Sequence, residues 1–136
     1  MTEEILAYKV VLIGESGVGK TNIFESYVSK KFRIWNKTTP LAKCMIKYIF
    51  LDEFKNKIQL EIWDTAGIGK FHALIRVLYK KANAIILVYD ITKKSSFEKL
   101  KEYWIPDLIN NREPGVSKFI NISLIYFIIS FVYYWE

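Results

Sequence analysis

The sequence predicts an α/β domain, a mostly parallel sheet with helices on both faces. Three observations carry this. Short apolar runs alternate with segments of helical periodicity along the chain. The run Ala84-Ile85-Ile86-Leu87-Val88-Tyr89 is apolar without a break, as a parallel strand buried on both faces should be. A glycine-rich stretch, Gly14 to Thr21, stands between the first apolar run and the first helical pattern. At 136 residues there is room for one domain and one core.

The elements follow in order. Tyr8–Ile13 is the first strand, and a helix starts near Lys20 with Ile23, Phe24, Tyr27 and Val28 on one side. Lys30 to Leu41 is a polar loop ending around Pro40. Strands are expected over Ala42–Leu51 and Lys57–Asp64, with Asp52 to Asn56 as the hairpin turn between them. In the second of these, Ile58, Leu60 and Ile62 alternate with Gln59, Glu61 and Trp63. Leu74–Lys81 is a short helix, and Ala84–Tyr89 is the fourth strand. Ser95 and Glu98 have the spacing of a capping box opening a further helix. Its buried stripe would be Phe97, Leu100, Trp104 and Leu108, and it would end between Asn110 and Gly115. A fifth strand would begin near Val116–Ile120.

Gly14-Glu15-Ser16-Gly17-Val18-Gly19-Lys20-Thr21 is a complete G-x-x-x-x-G-K-[ST] motif. Chance alone gives such a match on the order of half a percent for a chain this long. Glycines let the backbone wrap closely, so several N–H groups can point at one anion. The helix that follows adds its unpaired donors and the positive end of its dipole. Lys20 would reach the β- and γ-phosphates of a nucleotide, and the Thr21 hydroxyl would bind Mg²⁺. Asp64-Thr65-Ala66-Gly67 closes the third strand, about 45 residues after the motif. An Asp at that place can hold Mg²⁺ through its water shell, and Gly67 can offer its N–H to the γ-phosphate.

With these motifs on the page, the chain resembles a Ras-superfamily small GTPase, most closely the Rab branch. The resemblance rests on Gly14 to Asn22, Leu60 to Gly67, Ala84 to Thr92 and the segment from Ser95 to Trp104. It implies a P-loop NTPase fold of the Ras-like kind, GTP and GDP as ligands, Mg²⁺, and a switch that acts in vesicle and membrane trafficking. It also implies effectors, exchange factors and GTPase-activating proteins as partners. The nucleotide-contacting residues it implies are Gly14, Glu15, Ser16, Gly17, Val18, Gly19, Lys20, Thr21, Asn22, Phe32, Thr39, Asp64 and Gly67. Thr21, Thr39 and Asp64 would hold the metal. Phe32 would pack on the guanine, and Thr39 would sense the γ-phosphate.

Four departures from the Rab pattern matter. Ile68 stands where the family has the glutamine that orients the attacking water, so GTP hydrolysis should be slow and no catalytic residue is assigned. Switch I reads Thr39-Pro40-Leu41-Ala42-Lys43-Cys44, with Lys43 where regulators usually meet an acidic residue. Pro40 favours an extended Thr39 and removes an N–H. The guanine-reading Asn-Lys-x-Asp motif is missing, since the chain after the expected fifth strand reads Asn121-Ile122-Ser123-Leu124. Neither a final family helix nor prenylation cysteines follow, which leaves membrane attachment without its usual device.

Residues 1–118 therefore read as a partial Rab-like GTPase domain, C-terminally incomplete, and residues 119–136 as an apolar tail outside the family pattern. Fourteen of the 18 tail residues are apolar or aromatic. As a helix the tail would span about 27 Å, just short of a bilayer core. Its β-branched and aromatic content suits a strand better. Its composition also matches untranslated sequence from an A/T-rich gene. Two other readings stay open: a P-loop ATPase or kinase, and a truncated, non-enzymatic fragment that binds nucleotide weakly and without selectivity.

Composition bounds the rest. Twenty basic against 14 acidic residues give +6, most of it Lys in scattered pairs without an Arg-rich stripe. This reads as a solvated surface, not a nucleic-acid face, and attraction to acidic membranes would be modest. Cys44 is alone, so no internal disulfide or Cys-based zinc site is expected. Met1 to Ala7 carries no signal-peptide pattern, which points to the cytoplasm or the cytosolic face of endomembranes. His72, Lys70 and Arg76 read as solvated surface side chains.

Overall fold

The computed structural model describes residues 5–30, 38–51 and 56–111. In chain order these are β1 (Leu6–Ile13), α1 (Lys20–Ser29), β2 (Ala42–Leu51) and β3 (Asn56–Thr65). A 3₁₀ turn (Gly69–Phe71), α2 (His72–Lys80) and β4 (Ala84–Leu87) follow. The last helical stretch is α3 (Lys94–Lys99), a π-helical turn (Leu100–Trp104) and α4 (Ile105–Asn111). The described strands form one sheet in the order β2-β3-β1-β4. β1 runs parallel to both β3 and β4, and β2 is antiparallel to β3. The expected mixed α/β architecture is present. The expected fifth strand, the tail, Phe32 and most of the 52–56 turn lie outside the described residues.

The C-terminal end of β1, Val11–Ile13, is buried on both faces because successive side chains alternate. Val11 and Ile13 join Ile75 and Tyr79 of α2, together with Leu100, Trp104 and Leu108. Leu12 points the other way, to Phe24 of α1, Ile62 and Val88. The strand ends that carry the site thus sit between two packed layers.

Several boundaries and faces differ from expectation. β1 and β3 are longer than predicted, starting at Leu6 and ending at Thr65. α2 begins at His72 rather than Leu74 and stops at Lys80. β4 ends at Leu87, two residues early, because its partner β1 turns away at Gly14. Beyond that end, Val88 N–H reaches Ile13 O at 2.7 Å. Tyr27 is exposed, not core; Lys47 lies over its ring at 4.0 Å.

The capping box is overturned. The helix begins at Lys94, and no side chain caps it. Ser96, not Ser95, secures this end: its hydroxyl donates to Lys93 O at 2.7 Å and accepts from Asp90 N–H at 3.0 Å. Asp90 also takes the Thr92 N–H and hydroxyl, so a turn at Asp90–Thr92 fixes the chain before the helix starts. Phe97 is exposed at the rim beside Tyr89, while Leu100, Trp104 and Leu108 are buried as expected. The π-helical turn has a cause in the sequence. Pro106 has no N–H and its ring would press on the carbonyl one turn back. The helix widens just ahead of it, and Ile105 N–H bonds to Leu100 O, five residues away.

Candidate functional site

The glycine-rich loop leaves β1 at Gly14 and enters α1 at Lys20. Gly17 and Gly19 have φ of 77° and 99°, a left-handed conformation that non-glycine residues adopt at a cost. Gly14 is required for space: a Cβ there would sit 2.1 Å from Val88 O. Lys20 folds back over the loop and donates to Gly14 O at 2.8 Å and Glu15 O at 2.7 Å. Burial brings its ammonium down to about 8, against the opposing pull of Asp64 and Glu15. Ser16 and Gly17 are exposed, Val18 packs toward the α1 layer, and Asn22 lies in the first turn of α1.

Thr21, Thr39 and Asp64 come from three different segments and meet. Thr21 Oγ1 donates to Asp64 Oδ2 at 2.6 Å and lies 2.7 Å from Thr39 Oγ1. Thr39 Oγ1 is 3.2 Å from the same carboxylate oxygen. Asp64 is fully buried, and its other oxygen, Oδ1, has no hydrogen-bond partner among the described residues. Burial pushes this carboxyl above its usual range, opposed by the two threonine hydroxyls and by Lys20 and Lys43. Two hydroxyls and a carboxylate with an unmet oxygen make a hard-oxygen donor set, which suits Mg²⁺.

Gly67 sits directly on the loop. A Cβ there would lie 2.1 Å from Ser16 N and 2.2 Å from the Glu15 carbonyl carbon. Its backbone is not in the positive-φ region, so space rather than dihedral freedom demands the glycine. Thr65 secures the same crossing, its hydroxyl donating to Leu12 O at 2.6 Å. Ile68 is half-buried and extended, at the entry to the 3₁₀ turn. Lys43 is exposed and lies 3.7 Å from Glu25.

Three features escaped the sequence. His72 is not a solvated side chain: it stacks on Tyr103 and meets Trp104 edge-on, with centroids 4.5 and 4.4 Å away. Its Nε2 is buried without a hydrogen-bond partner among the described residues. Arg76, although partly exposed, is paired: its Nε donates to Asp107 Oδ1 at 2.9 Å, and Tyr79 Oη donates to Oδ2 at 2.6 Å. Burial of Asp107 opposes ionisation, yet those partners hold its carboxyl below the usual range. Trp104 Nε1 donates to Glu15 Oε1 at 3.1 Å, across 89 residues of sequence. A buried indole needs an acceptor for its N–H, and that need was the available signal.

Burial also lowers the His72 pKa, more than Glu15 and Asp107 raise it; Lys99 and Arg76 push the same way as burial. The folded imidazole therefore binds a proton less readily than the unfolded one. Its contribution to stability is complete above the ordinary value of 6.5 and is lost as pH falls through the lower folded value. The melting temperature should thus fall less between pH 7.5 and 5 in His72→Phe, which keeps a ring between Tyr103 and Trp104, than in the wild type. Parallel melting curves for the two proteins would refute this.

The Ras family profile matches residues 9–125. Ras-related protein Rab-17 of Mus musculus is 39% identical over 107 residues, which is 79% of this chain and 48% of that protein. Ras-related protein RABA1c of Arabidopsis thaliana is 36% identical over 109 residues, 80% of this chain and 49% of that one. Ras-related protein Rab-21 of Homo sapiens is 42% identical over 102 residues, 75% of this chain and 44% of its own. The chain belongs to the Ras family and is a Rab-like small GTPase by kinship. It spans about half the length of these relatives.

Proposed function

We propose that this chain binds the phosphates of a guanine nucleotide together with Mg²⁺ and serves as a Rab-type switch between GTP and GDP forms. The observation that carries this is the meeting of Thr21, Thr39 and Asp64 beside the glycine-rich loop. The loop amides from Gly14 to Thr21 would surround the phosphates, and Lys20 would leave its two carbonyl acceptors to reach them. Thr21, Thr39 and Asp64 would hold Mg²⁺, which when bound neutralises phosphate charge. Gly67 would offer its N–H to the γ-phosphate from its place against Ser16. Thr39 lies in switch I, so loss of the γ-phosphate would release that segment.

The GTPase portion extends to residue 125, where the family match ends, so the apolar run from Phe119 begins inside it and residues 126–136 lie beyond it. The setting is the cytosolic face of endomembranes, with effectors, exchange factors and GTPase-activating proteins as partners. Among the described residues no helix is long and apolar enough to cross a membrane. Lys43 and Cys44 are exposed, which puts these atypical switch I residues where a partner would meet them.

Isothermal titration of the full chain with GDP, GTP and ATP, with and without Mg²⁺, tests the reading. Tighter binding of GDP and GTP than of ATP, strengthened by Mg²⁺, supports it. No binding of any nucleotide overturns it, and equal affinity for ATP removes the guanine assignment. Hydrolysis should be slow because Ile68 has no donor or acceptor to orient water. Ile68→Gln should raise single-turnover GTP cleavage by on the order of tenfold or more, the scale of a repositioned reactant. Equal rates in the two proteins would end that claim.

A further inference from the structure

We infer that Trp104 is a positioning residue for the phosphate-binding loop and acts through Glu15. Glu15 is held from three sides. Its carboxylate accepts the Trp104 indole N–H at 3.1 Å. Its carbonyl oxygen accepts the Lys20 ammonium at 2.7 Å. Its carbonyl carbon and oxygen face Gly67 so closely that a Cβ there would meet them at 2.2 and 2.6 Å. Lys20 and Gly67 are thus placed against the backbone of a single loop residue, and Trp104 fixes its side chain.

Trp104 is itself enclosed by the core. It is 1% exposed, lies in the π-helical turn ahead of Pro106, and packs with the layer that buries Val11 and Ile13. His72, at the start of α2, meets its ring edge-on. The loop contains three glycines, which are costly to order. An anchor from the core lowers that cost before any ligand arrives, which is preorganisation in the ordinary sense. The nucleotide arm of this inference rests on the proposed function; the anchoring itself does not.

The test uses the full chain with Trp104→Phe, Glu15→Ala, the double variant, and Glu15→Gln. In nucleotide-free protein, amide hydrogen exchange at Ser16–Gly19 should quicken in Trp104→Phe and Glu15→Ala, while Leu60–Ile62 of β3 stays at the wild-type rate. Each single variant should weaken Mg²⁺-GDP binding about tenfold. The double variant should be no weaker than the worse single one. Glu15→Gln, which keeps an acceptor, should lose less than Glu15→Ala. Glu15→Ala probes the contact without opening the core, so it decides the matter even where Trp104→Phe folds poorly. Unchanged loop exchange, uniformly faster exchange through the sheet, or additive losses in the cycle would overturn the inference. Faster loop exchange in a chain that binds no nucleotide would sustain the anchoring and discard the proposed function.

Discussion

Gly67→Ala should destabilise the folded chain by about 2–3 kcal/mol and cripple nucleotide binding. The new methyl would lie 2.1 Å from Ser16 N and 2.2 Å from the Glu15 carbonyl carbon. Both are backbone atoms of a loop whose entry is fixed by β1 and whose exit is fixed by α1. No side chain can swing aside to relieve the contact. Either the loop shifts outward, or the segment after β3 does. The second would pull on Asp64, three residues earlier, and undo its contacts with Thr21 and Thr39. Gly17→Ala is the control, because nothing lies within 4 Å of its Cβ site. Its cost comes only from the φ of 77°, about 1–2 kcal/mol. Urea unfolding of the two variants should therefore place Gly67→Ala below Gly17→Ala. The reverse order would mean that the crossing of loop and strand end is looser than these distances say.

The sequence made some of this plain and hid the rest for physical reasons. Glycines at fixed spacing before a lysine and a threonine identify a loop whatever surrounds it, because the backbone itself does the work. The alternation in β3 and the unbroken apolar run of β4 were legible because strand faces depend on local order. That Asp64 could share a metal with Thr21 was legible in its place at the end of the third strand, about 45 residues after the loop, whereas Thr39 came from family likeness. The helix start at Lys94 was misread because Asp90 and Ser96 form a bridge that competes with local capping by Ser95. The widened turn had a visible cause in Pro106, and the smooth apolar stripe through Trp104 concealed it. His72 looked like a surface residue because its partners, Tyr103 and Trp104, lie about thirty residues away. The Glu15–Trp104 bond was hidden in the same way. Contacts between distant segments decide these cases, and no period reports them.

The second large effect is expected at Asp64, and its two parts have opposite signs. In the folded chain this carboxylate is fully buried with Oδ1 unmet among the described residues, and burial pushes its pKa up. Its charged form is therefore kept at a cost in the absence of metal. Asp64→Asn removes the charge and keeps the shape, so the nucleotide-free, metal-free chain should become more stable by about 1 kcal/mol. Without that anionic oxygen, Thr21 and Thr39 contribute only neutral hydroxyls, a poor set for Mg²⁺. Addition of Mg²⁺ should then do little for GDP affinity, where in the wild type it should add on the order of a hundredfold. Melting in chelator and calorimetric titration with Mg²⁺ read the two parts separately. A metal site explains a gain in the first with a loss in the second. If Asp64 merely bridged Thr21 and Thr39, the variant would lose stability in chelator and keep its response to Mg²⁺, and the proposed site would be wrong.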